Sequence, residues 1–551
     1  MSTMKVWALA VSLLILMLLV SGFSMYHKTL TYDERDHYAY GEQIWNLNSD
    51  RFEDSKMPFS VLNVIPWEGI KHFGLDTWVV GLARRDEVAA GPLLQMTDEA
   101  REATLAVLTG RLSTIVVALL LGVYVFLWAR SLYGARGGLL ALALYTLSPN
   151  LIAHSRLVTT DLYAVCMITI STYYFWRFLT YGGYRHAIPS AFTLGLSQLA
   201  KPTCVFLVPI FIMVLLVRSL GRPAALRRPN FRKYHLEHLR AVCGYALLFA
   251  LVGMLAVNAG FLFNRTLVPL REYDFSTDIL RSIQSNPLLP GSLRVPFPAP
   301  YIEGLDAVRS TEVTGDTFGN IYLLGKIRET TPGFRPFPGY YSAAFLLKVP
   351  IAVQVLILMS AVMYIQNRRR FSFLRNEVFL FCPLLFFAVY FNFFFRAQIG
   401  IRFFLVVFPF LHVFCGSLVA EARPPGPRLK AIVVALMVYL AVSVASHFPH
   451  YISYFNEIVW DRKQAYRFLA DSNIDWGQNR YYLERYTIGH PDAILRPGAP
   501  ITGTVVVAVN DLVGVWDPDK YRWIRDNHEP VGHIAFSYLV YEIPEDSVLR
   551  K

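Results

Sequence analysis

Long apolar runs make up most of the chain, and short polar stretches separate them. A helix needs roughly 17 to 25 apolar residues to cross a bilayer. Counting such runs predicts about eleven spans, near residues 5–25, 105–129, 137–153, 160–179, 187–201, 203–218, 241–263, 344–365, 377–395, 403–421 and 429–447. No convincing cleavage site follows Gly22, so the first run is interpreted as a retained span rather than a signal peptide. The pattern predicts a polytopic α-helical membrane protein.

The basic residues predict how these spans are oriented. Short loops rich in Lys and Arg stay in the cytoplasm. With the N-terminus inside, every predicted cytoplasmic loop is basic: the loops carry Arg130 and Arg136, Arg177 and Arg185, the segment 218–240, the triplet 368–370, and ARPPGPRLK at 422–430. The long loops 26–104 and 264–343 and the tail 448–551 then lie on the extracytoplasmic face.

The pattern changes after the last span, which divides the chain into two predicted domains. Residues 1–447 form the transmembrane domain, and residues 448–551 form a small extracytoplasmic domain. The tail contains the strand-like runs ITGTVVVAVN and GHIAFSYLVYEI, separated by the polar segment DPDKYRWIRDNHEP. Runs of β-branched and aromatic residues bounded by polar turns indicate strands, so we expect an α/β fold for this domain.

Composition agrees with a membrane protein. The 551 residues are 54% hydrophobic and only 17% charged, with a mean hydropathy of +0.38. The formal net charge of +12 is explained by the basic cytoplasmic loops, and no nucleic-acid motif accompanies it. Membrane lipid is therefore an expected partner and nucleic acid is not.

The unusual polar residues collect at the outer ends of the predicted spans. They are Asp33, Glu34 and His37 in the first loop, His154, Arg156 and Asp161 in the turn between the third and fourth spans, and Lys201, Lys348 and Arg402 at later span ends. Arg and Lys at a lipid boundary suit a phosphate group, and a carboxylate beside them suits a general base. This placement favours chemistry at the outer surface over transport through the middle of the membrane.

Each of these residues also has a simpler interpretation. An isolated Lys or Arg at a span end usually extends toward the interface without binding a ligand. An acidic cluster beside a span is commonly a solvated loop, His154 could be an ordinary interfacial histidine, and Asp161 could cap the helix that it begins.

Six stretches, in order along the chain, resemble the motifs of one family. They are TYDERDHYAYG, SPNLIAHSRLVTTD, GLSQLAKPTCVFLVP, YYSAAFLLKVP, IRFFLVVFPFL and YFNEIVWDRKQAYRFLADSNIDWGQ. They resemble the phospholipid-carrier-dependent glycosyltransferases of the GT-C superfamily, which includes the protein O-mannosyltransferases of glycosyltransferase family 39 and the aminoarabinose transferases of lipid A. Asp36 departs from the pattern, because the aminoarabinose transferases tend to have Arg there, and this leaves the donor open.

The resemblance implies a GT-C fold and the inverting transfer of a sugar from a polyprenyl phosphate, such as undecaprenyl phosphate, to a lipid, glycan or protein acceptor. It implies an active site facing the periplasm from a bacterial inner membrane. By this resemblance Asp33 is the catalytic base, Glu34 is a supporting or alternative carboxylate, and Asp161 is the second acidic residue. Lys201, Lys348, Arg402 and Arg156 would bind the donor phosphate, and His37 and His154 would orient acceptor or sugar.

Two further questions stay open at this stage. No His, Asp and Glu set has the spacing of metal ligands, so no metal is expected, although His37 beside the carboxylates leaves room for an accessory divalent cation. The second hypothesis is a flippase or transporter of lipid-linked sugars, which would explain the spans and cations but not the acidic first-loop motif.

Overall fold

The computed structural model describes residues 2–48, 56–85, 97–220, 231–315, 317–367, 371–421 and 426–545. Parts of the predicted basic loops, at 221–230, 368–370 and 422–425, lie outside the described residues. The described chain is mainly helical.

Its α-helices are α1 Thr3–Ser24, α2 Glu34–Trp45, α3 Ile65–His72, α4 Asp76–Arg85, α5 Asp98–Thr146, α6 Pro149–His154, α7 Asp161–Tyr181, α8 Tyr184–Ser197, α9 Leu207–Leu220, α10 Phe231–Gly260, α11 Asp278–Gln284, α12 Ala299–Thr314, α13 Tyr340–Lys348, α14 Ile351–Gln366, α15 Val378–Phe393, α16 Phe408–Cys415, α17 Pro427–Ala445, α18 Arg480–Gly489, α19 Val509–Val513 and α20 Arg522–Arg525. Short 3₁₀ helices at Pro202–Phe206, Ile401–Val407 and Asp471–Asn473 matter for the site described below.

The helices follow the predicted spans, although fewer of them meet a strict test of length and hydropathy. In the described residues six qualify: Thr3–Ser24, Asp98–Thr146, Pro202–Leu220, Val242–Gly260, Ile401–Val419 and Pro427–Ala445. The pair α13 and α14, bent by 112° at its break, would make a seventh. The polytopic helical fold is confirmed, whereas the count of eleven spans stays a prediction.

The second and third predicted spans are joined in a single long segment, α5, which is interrupted at Gly134. This glycine has φ 86°, a left-handed conformation that side chains other than glycine rarely adopt. A Cβ there would also meet the side chain of Glu421, whose carboxylate accepts from the Ala135 amide at 2.8 Å. The sharp turn between Arg130 and Arg136 therefore depends on glycine.

The tail contains the predicted strands. β3 Ile494–Leu495, β4 Gly503–Ala508, β5 Gly532–Ile534 and β6 Tyr538–Ile543 form one sheet in the order β3-β4-β6-β5. β4 and β6 pair antiparallel, with Val506 opposite Val540, and their apolar residues are buried. A second, two-stranded sheet, β1 Ile321–Leu323 and β2 Lys326–Arg328, lies in the second large loop. The prediction of a helical membrane fold with a small sheet region is confirmed.

Candidate active site

Four charged side chains from four distant segments meet at one place, which we call the outer cluster: Asp33, Asp161, Lys201 and Arg402. Arg402 Nη1 donates to Asp33 Oδ2 at 2.9 Å and lies 3.9 Å from Asp161 Oδ2. Lys201 Nζ donates to Asp161 Oδ1. The fold thus brings together two carboxylates and two cations that were predicted as site residues from four separate segments of the sequence.

Helix ends and 3₁₀ turns hold these side chains in place. Asp33 immediately precedes α2, and Asp161 is the first residue of α7. Lys201 precedes Pro202, where the 3₁₀ helix Pro202–Phe206 begins, and Arg402 lies in the 3₁₀ helix Ile401–Val407. The Asp161 carboxylate accepts from Lys201 Nζ, so it belongs to the outer cluster.

Aromatic rings line the cations of the outer cluster. The Arg402 guanidinium carbon lies 4.0 Å from the centroid of the Trp476 ring and 5.0 Å from that of Phe403. Lys201 Nζ lies 4.4 Å from the Phe403 centroid. Aromatic faces attract cations within about 6 Å, and flat rings also restrict the directions in which the guanidinium can turn. The rings therefore fix both cations where a ligand would meet them.

Asp33 is the accessible carboxylate of the cluster. Its side chain is 34% exposed, whereas that of Asp161 is 3% exposed. Burial alone would raise the pKa of Asp33, but Arg402, with smaller contributions from His37 and Lys56, outweighs it, and the pKa is lowered. Asp33 is therefore an anion that faces open space and is paired with an arginine.

The neighbouring Glu34 is placed quite differently. It is fully buried, and its carboxylate accepts from Arg111 Nε at 2.8 Å and Nη2 at 2.7 Å. It also accepts from the amides of Thr31 at 2.7 Å and Val158 at 2.9 Å. The Thr31 hydroxyl also donates to this carboxylate, at 3.2 Å. We call this set (Thr31, Glu34, Arg111, Val158) the Glu34 brace.

The two predicted orienting histidines are both buried near the outer cluster. His37 lies on α2, one turn after Asp33, and burial with repulsion from Lys56 lowers its pKa to about 3. The His154 ring packs beside Trp476, with ring centroids 6.2 Å apart. In the described structure neither Nδ1 atom has a hydrogen-bond partner. Each ring is thus buried and keeps one nitrogen, Nδ1, without a hydrogen-bond partner among the described residues.

Two of the four residues predicted to bind the donor phosphate, Lys348 and Arg156, donate hydrogen bonds to backbone carbonyls. Lys348 Nζ donates to the carbonyls of Ile452, at 2.8 Å, and Asn473. Arg156 Nη1 donates to the Ser24 carbonyl and Nη2 to that of Pro449 at 3.2 Å. Over the described ranges neither side chain lies within 4.0 Å of a carboxylate. Lys201 and Arg402 are the two predicted phosphate-binding residues that lie in the outer cluster, and phosphate binding by any of the four stays a prediction.

Sequence reasoning missed two residues of the motif DSNIDWGQ, which the family resemblance had already singled out. Trp476 packs on Arg402, as described above. Asp471 has φ 57°, uncommon for a residue other than glycine, and its carboxylate accepts from the Ser472 amide at 2.5 Å. Burial raises the pKa of Asp471 to about 7, although Arg402 opposes the shift, while Asp33 and Asp475 add to it. An acidic motif directly after the last span was the signal for this residue.

Metal binding has no obvious location. Among the residues that the structure describes, no group of three or more His, Cys, Asp or Glu side chains could hold a metal ion. The expectation of a metal-free site stays a prediction.

Comparison with known proteins identifies related families. Residues 107–258 match the family model described as dolichyl-phosphate-mannose-protein mannosyltransferase. A search of curated protein sequences found no match.

Several solved structures are similar to this chain at low sequence identity. One is the oligosaccharyltransferase AglB of Archaeoglobus fulgidus in complex with an inhibitory peptide and a dolichol-phosphate, at 13% identity and a TM-score of 0.47, with 88% of this chain and 60% of that chain covered. The apo enzyme matches at 14% identity and a TM-score of 0.45, covering 79% of this chain and 55% of that chain. The chain thus spans little more than half the length of the archaeal protein. ArnT of Cupriavidus metallidurans bound to undecaprenyl phosphate matches over 99% of both chains, at 13% identity and a TM-score of 0.27.

The chain is an integral membrane protein, and the part of it at residues 107–258 is similar to the mannosyltransferase family named above, in agreement with the resemblance that its sequence motifs carry.

Proposed function

We propose that this protein transfers a sugar from a polyprenyl-phosphate carrier to an acceptor on the extracytoplasmic face of the membrane. The observation that carries the proposal is the outer cluster, in which an accessible carboxylate and two cations meet at the ends of apolar helices. Donor phosphate would sit at Arg402 and Lys201, and Asp33 would act on the acceptor.

The unused donors of the two cations support the phosphate site. Arg402 Nε is buried and has no hydrogen-bond partner among the described residues, although a guanidinium offers five N–H donors. Lys201 uses one donor on Asp161 and has two more. Charge-assisted hydrogen bonds to phosphate are stronger than neutral ones, so an incoming phosphate would satisfy groups that are now incompletely bonded.

The reaction is a single displacement. The acceptor oxygen or nitrogen forms a bond to the anomeric carbon while the bond between that carbon and the phosphate oxygen breaks. The electron pair leaves with the phosphate, and Arg402 and Lys201 stabilise its added charge. The acceptor's proton goes to Asp33. One attack from the opposite face gives inversion at the anomeric carbon, and no covalent enzyme intermediate is needed.

The ion pair between Asp33 and Arg402 fits this order of events. While the pair is intact, the lowered pKa makes Asp33 a weak base. When a phosphate binds Arg402, the guanidinium is shared with a second anion, and its hold on Asp33 weakens. Because burial would then dominate, the pKa of Asp33 rises, so donor binding prepares the base.

Glu34 acts in this proposal as a positioning residue. Its carboxylate has no free side for a substrate, but the Glu34 brace fixes the backbone that carries Asp33. His37 and His154, with Asp161, would orient sugar or acceptor. The basic loops favour a cytoplasmic N-terminus, which puts the outer cluster on the periplasmic side if the host is a bacterium with an inner membrane.

The test is transfer by purified protein in nanodiscs, supplied with a radiolabelled undecaprenyl-phosphate sugar. We expect label to leave the carrier, as free or transferred sugar, and the Asp33→Asn variant to lose this activity. Label that moves between leaflets while the sugar–phosphate bond stays intact would contradict the enzyme and support the flippase. Cysteines placed in the tail should react with impermeant reagents in intact spheroplasts, and reaction only after permeabilisation would reverse the orientation.

A further inference from the structure

A large cavity is lined by the first-loop segment that precedes α2. Its volume is about 970 Å³, at the upper end of the range for small-molecule sites, roughly 300–1,000 Å³. The walls come from the end of α1 and the following residues 25–35, from α5, and from the tail domain including α18. We call it the lateral cavity. Neither Asp33 nor Arg402 lines it.

The charged wall of the lateral cavity is mostly positive. Five cationic side chains line it, namely Lys28, Arg35, Arg111, Arg480 and Arg496, and one anionic side chain, Glu484. Three of the cations are matched: Arg111 by Glu34, Arg480 by Glu484 at 2.8 Å, and Arg496 by Asp511 at 3.4 Å. Within the described ranges, Lys28 and Arg35 have no carboxylate within 4.0 Å. Two positive charges at the cavity are therefore uncompensated.

Lys28 is the more unusual of the two because it is 5% exposed. Its ammonium contacts His450 Nδ1 at 2.6 Å and donates to Asn479 Oδ1, so at least one of its three N–H donors is left. Burial and repulsion from Arg156 and Arg111 lower the pKa of Lys28 well below its usual range, with only Asp475 opposing them. A buried cation among other cations is costly unless an anion completes the site.

Another part of the wall of the lateral cavity is apolar. Leu105 and Leu108 on α5 and Met25 at the end of α1 line it, beside the end of a helix apolar enough to span the membrane. A free inorganic anion would leave this wall unfilled. An anion that carries a hydrocarbon chain would fill both walls, and burying apolar surface contributes about 25 cal/mol per Å².

We propose that the lateral cavity binds an anionic amphiphile, with its phosphate or other acidic head group at Lys28 and Arg35 and its chain against Leu105 and Leu108. This site is separate from the donor site and does not depend on the proposed glycosyl transfer. A membrane phospholipid and a lipid-linked acceptor share this chemistry.

Native mass spectrometry of the full chain in detergent tests the proposal, with dodecyl phosphate as the probe. We expect a saturable adduct at the lateral cavity in addition to any adduct at Arg402 and Lys201, and weaker binding of inorganic phosphate and of dodecyl phosphocholine, which has the same chain but no net charge. Lys28→Gln keeps hydrogen-bonding capacity and removes the charge, and Arg35→Gln changes an exposed residue that should not affect folding. Each should weaken dodecyl phosphate binding by roughly tenfold.

Matched controls separate this site from the others. Arg522→Gln removes an exposed positive charge away from the cavity and should bind the probe as wild type does. Arg402→Ala removes a charge from the outer cluster, where an alkyl phosphate would also bind, and should keep the adduct at the lateral cavity. With Arg402→Ala as the background, unchanged binding by Arg35→Gln and Lys28→Gln, or the loss of every adduct in Arg402→Ala alone, would overturn the proposal. Equal binding of inorganic phosphate would also overturn it, because the apolar wall would then contribute nothing.

Among natural ligands, vesicles of phosphatidylcholine with and without phosphatidylglycerol distinguish the sources. Retention of phosphatidylglycerol by wild type but not by Arg35→Gln would assign the site to a membrane phospholipid. If dodecyl phosphate binds at this site and phosphatidylglycerol is not retained, the amphiphile is a more specialised lipid such as an acceptor.

Discussion

Asp33 and Glu34 are adjacent in the chain, but the regions around them are organised in opposite ways. Asp33 is 34% exposed and bonded to one arginine that is itself shared with Asp161. Glu34 is 0% exposed and bonded on both oxygens, to Arg111 and two backbone amides. The outer cluster leaves donors and a carboxylate available to a ligand, whereas the Glu34 brace leaves none. Both residues are carboxylates, so the difference between the proposed reacting group and the group that fixes the backbone is whether the side chain is accessible to a ligand.

The largest expected effect comes from removing the accessible carboxylate. Asp33→Asn keeps shape and packing but loses the proton acceptor, so transfer should fall by about 10² to 10⁴. Donor affinity and the unfolding temperature should stay near wild type, because the proposed phosphate contacts are those of Lys201 and Arg402. Rates and donor affinity are measured in the same detergent, with Asp36→Asn, an exposed carboxylate of α2, as the control. Near-normal transfer would remove Asp33 from the mechanism.

The corresponding change in the Glu34 brace should affect folding first. Glu34→Gln leaves Arg111 buried without a carboxylate, and breaking a buried ion pair costs about 3–5 kcal/mol. The free energy of unfolding in mixed micelles should fall by that amount. Glu68→Gln, which breaks the more exposed pair with Lys71, should cost at most about 1 kcal/mol. If Glu34→Gln folds stably but loses transfer as completely as Asp33→Asn does, Glu34 would be the catalytic base and Asp33 the positioning residue.

A smaller effect is expected for the phosphate-binding side of the outer cluster. Arg402→Ala removes charge-assisted bonds, worth about 1.5 to 3 kcal/mol, so the KM for donor should rise roughly ten- to a hundredfold. Arg402→Lys should recover only part of this, because an ammonium cannot bind phosphate through two parallel donors. Arg522→Ala serves as the exposed control. Unchanged donor dependence in Arg402→Ala would mean that the guanidinium only extends toward the interface.

The smallest effect concerns Asp471, whose carboxyl lies near the outer cluster but is bonded mainly to backbone. Its pKa is raised to about 7, so between the unfolded value near 4 and pH 7 the folded state holds a proton that the unfolded state has lost. The contribution of Asp471 to stability therefore decreases as pH rises through this window. Asp471→Asn should remove that decrease and be relatively more stable at pH 8 than at pH 5. Parallel pH profiles for variant and wild type would show that Asp471 stays ionised.

The sequence by itself determined the membrane architecture. Apolar runs of sufficient length must be helices in lipid, because their backbone groups have no other hydrogen-bond partners there. The β-branched runs of the tail likewise became β4 and β6. The number of spans was harder to predict from the sequence. Buried helices such as Asp161–Tyr181 contain Ser, Thr and Tyr residues that pack against other helices, and these residues lower the hydropathy by which a span is recognised. The candidate functional residues could also be predicted from the sequence, because charged residues at the ends of spans are energetically unfavourable and few.

Only the tertiary structure decided which of those charges face each other. Asp33 and Arg402 are 369 positions apart, and nothing in either segment specifies the partner. The same residue types serve both purposes: Lys201 meets a carboxylate in the outer cluster, while Lys348 binds the carbonyls of Ile452 and Asn473. The sequence shows that a cation lies at the membrane edge, where its desolvation is unfavourable. Only the tertiary structure shows which group interacts with the cation and offsets that free energy. When that group is backbone the cation holds the fold together, and when donors are left unused it can bind a substrate.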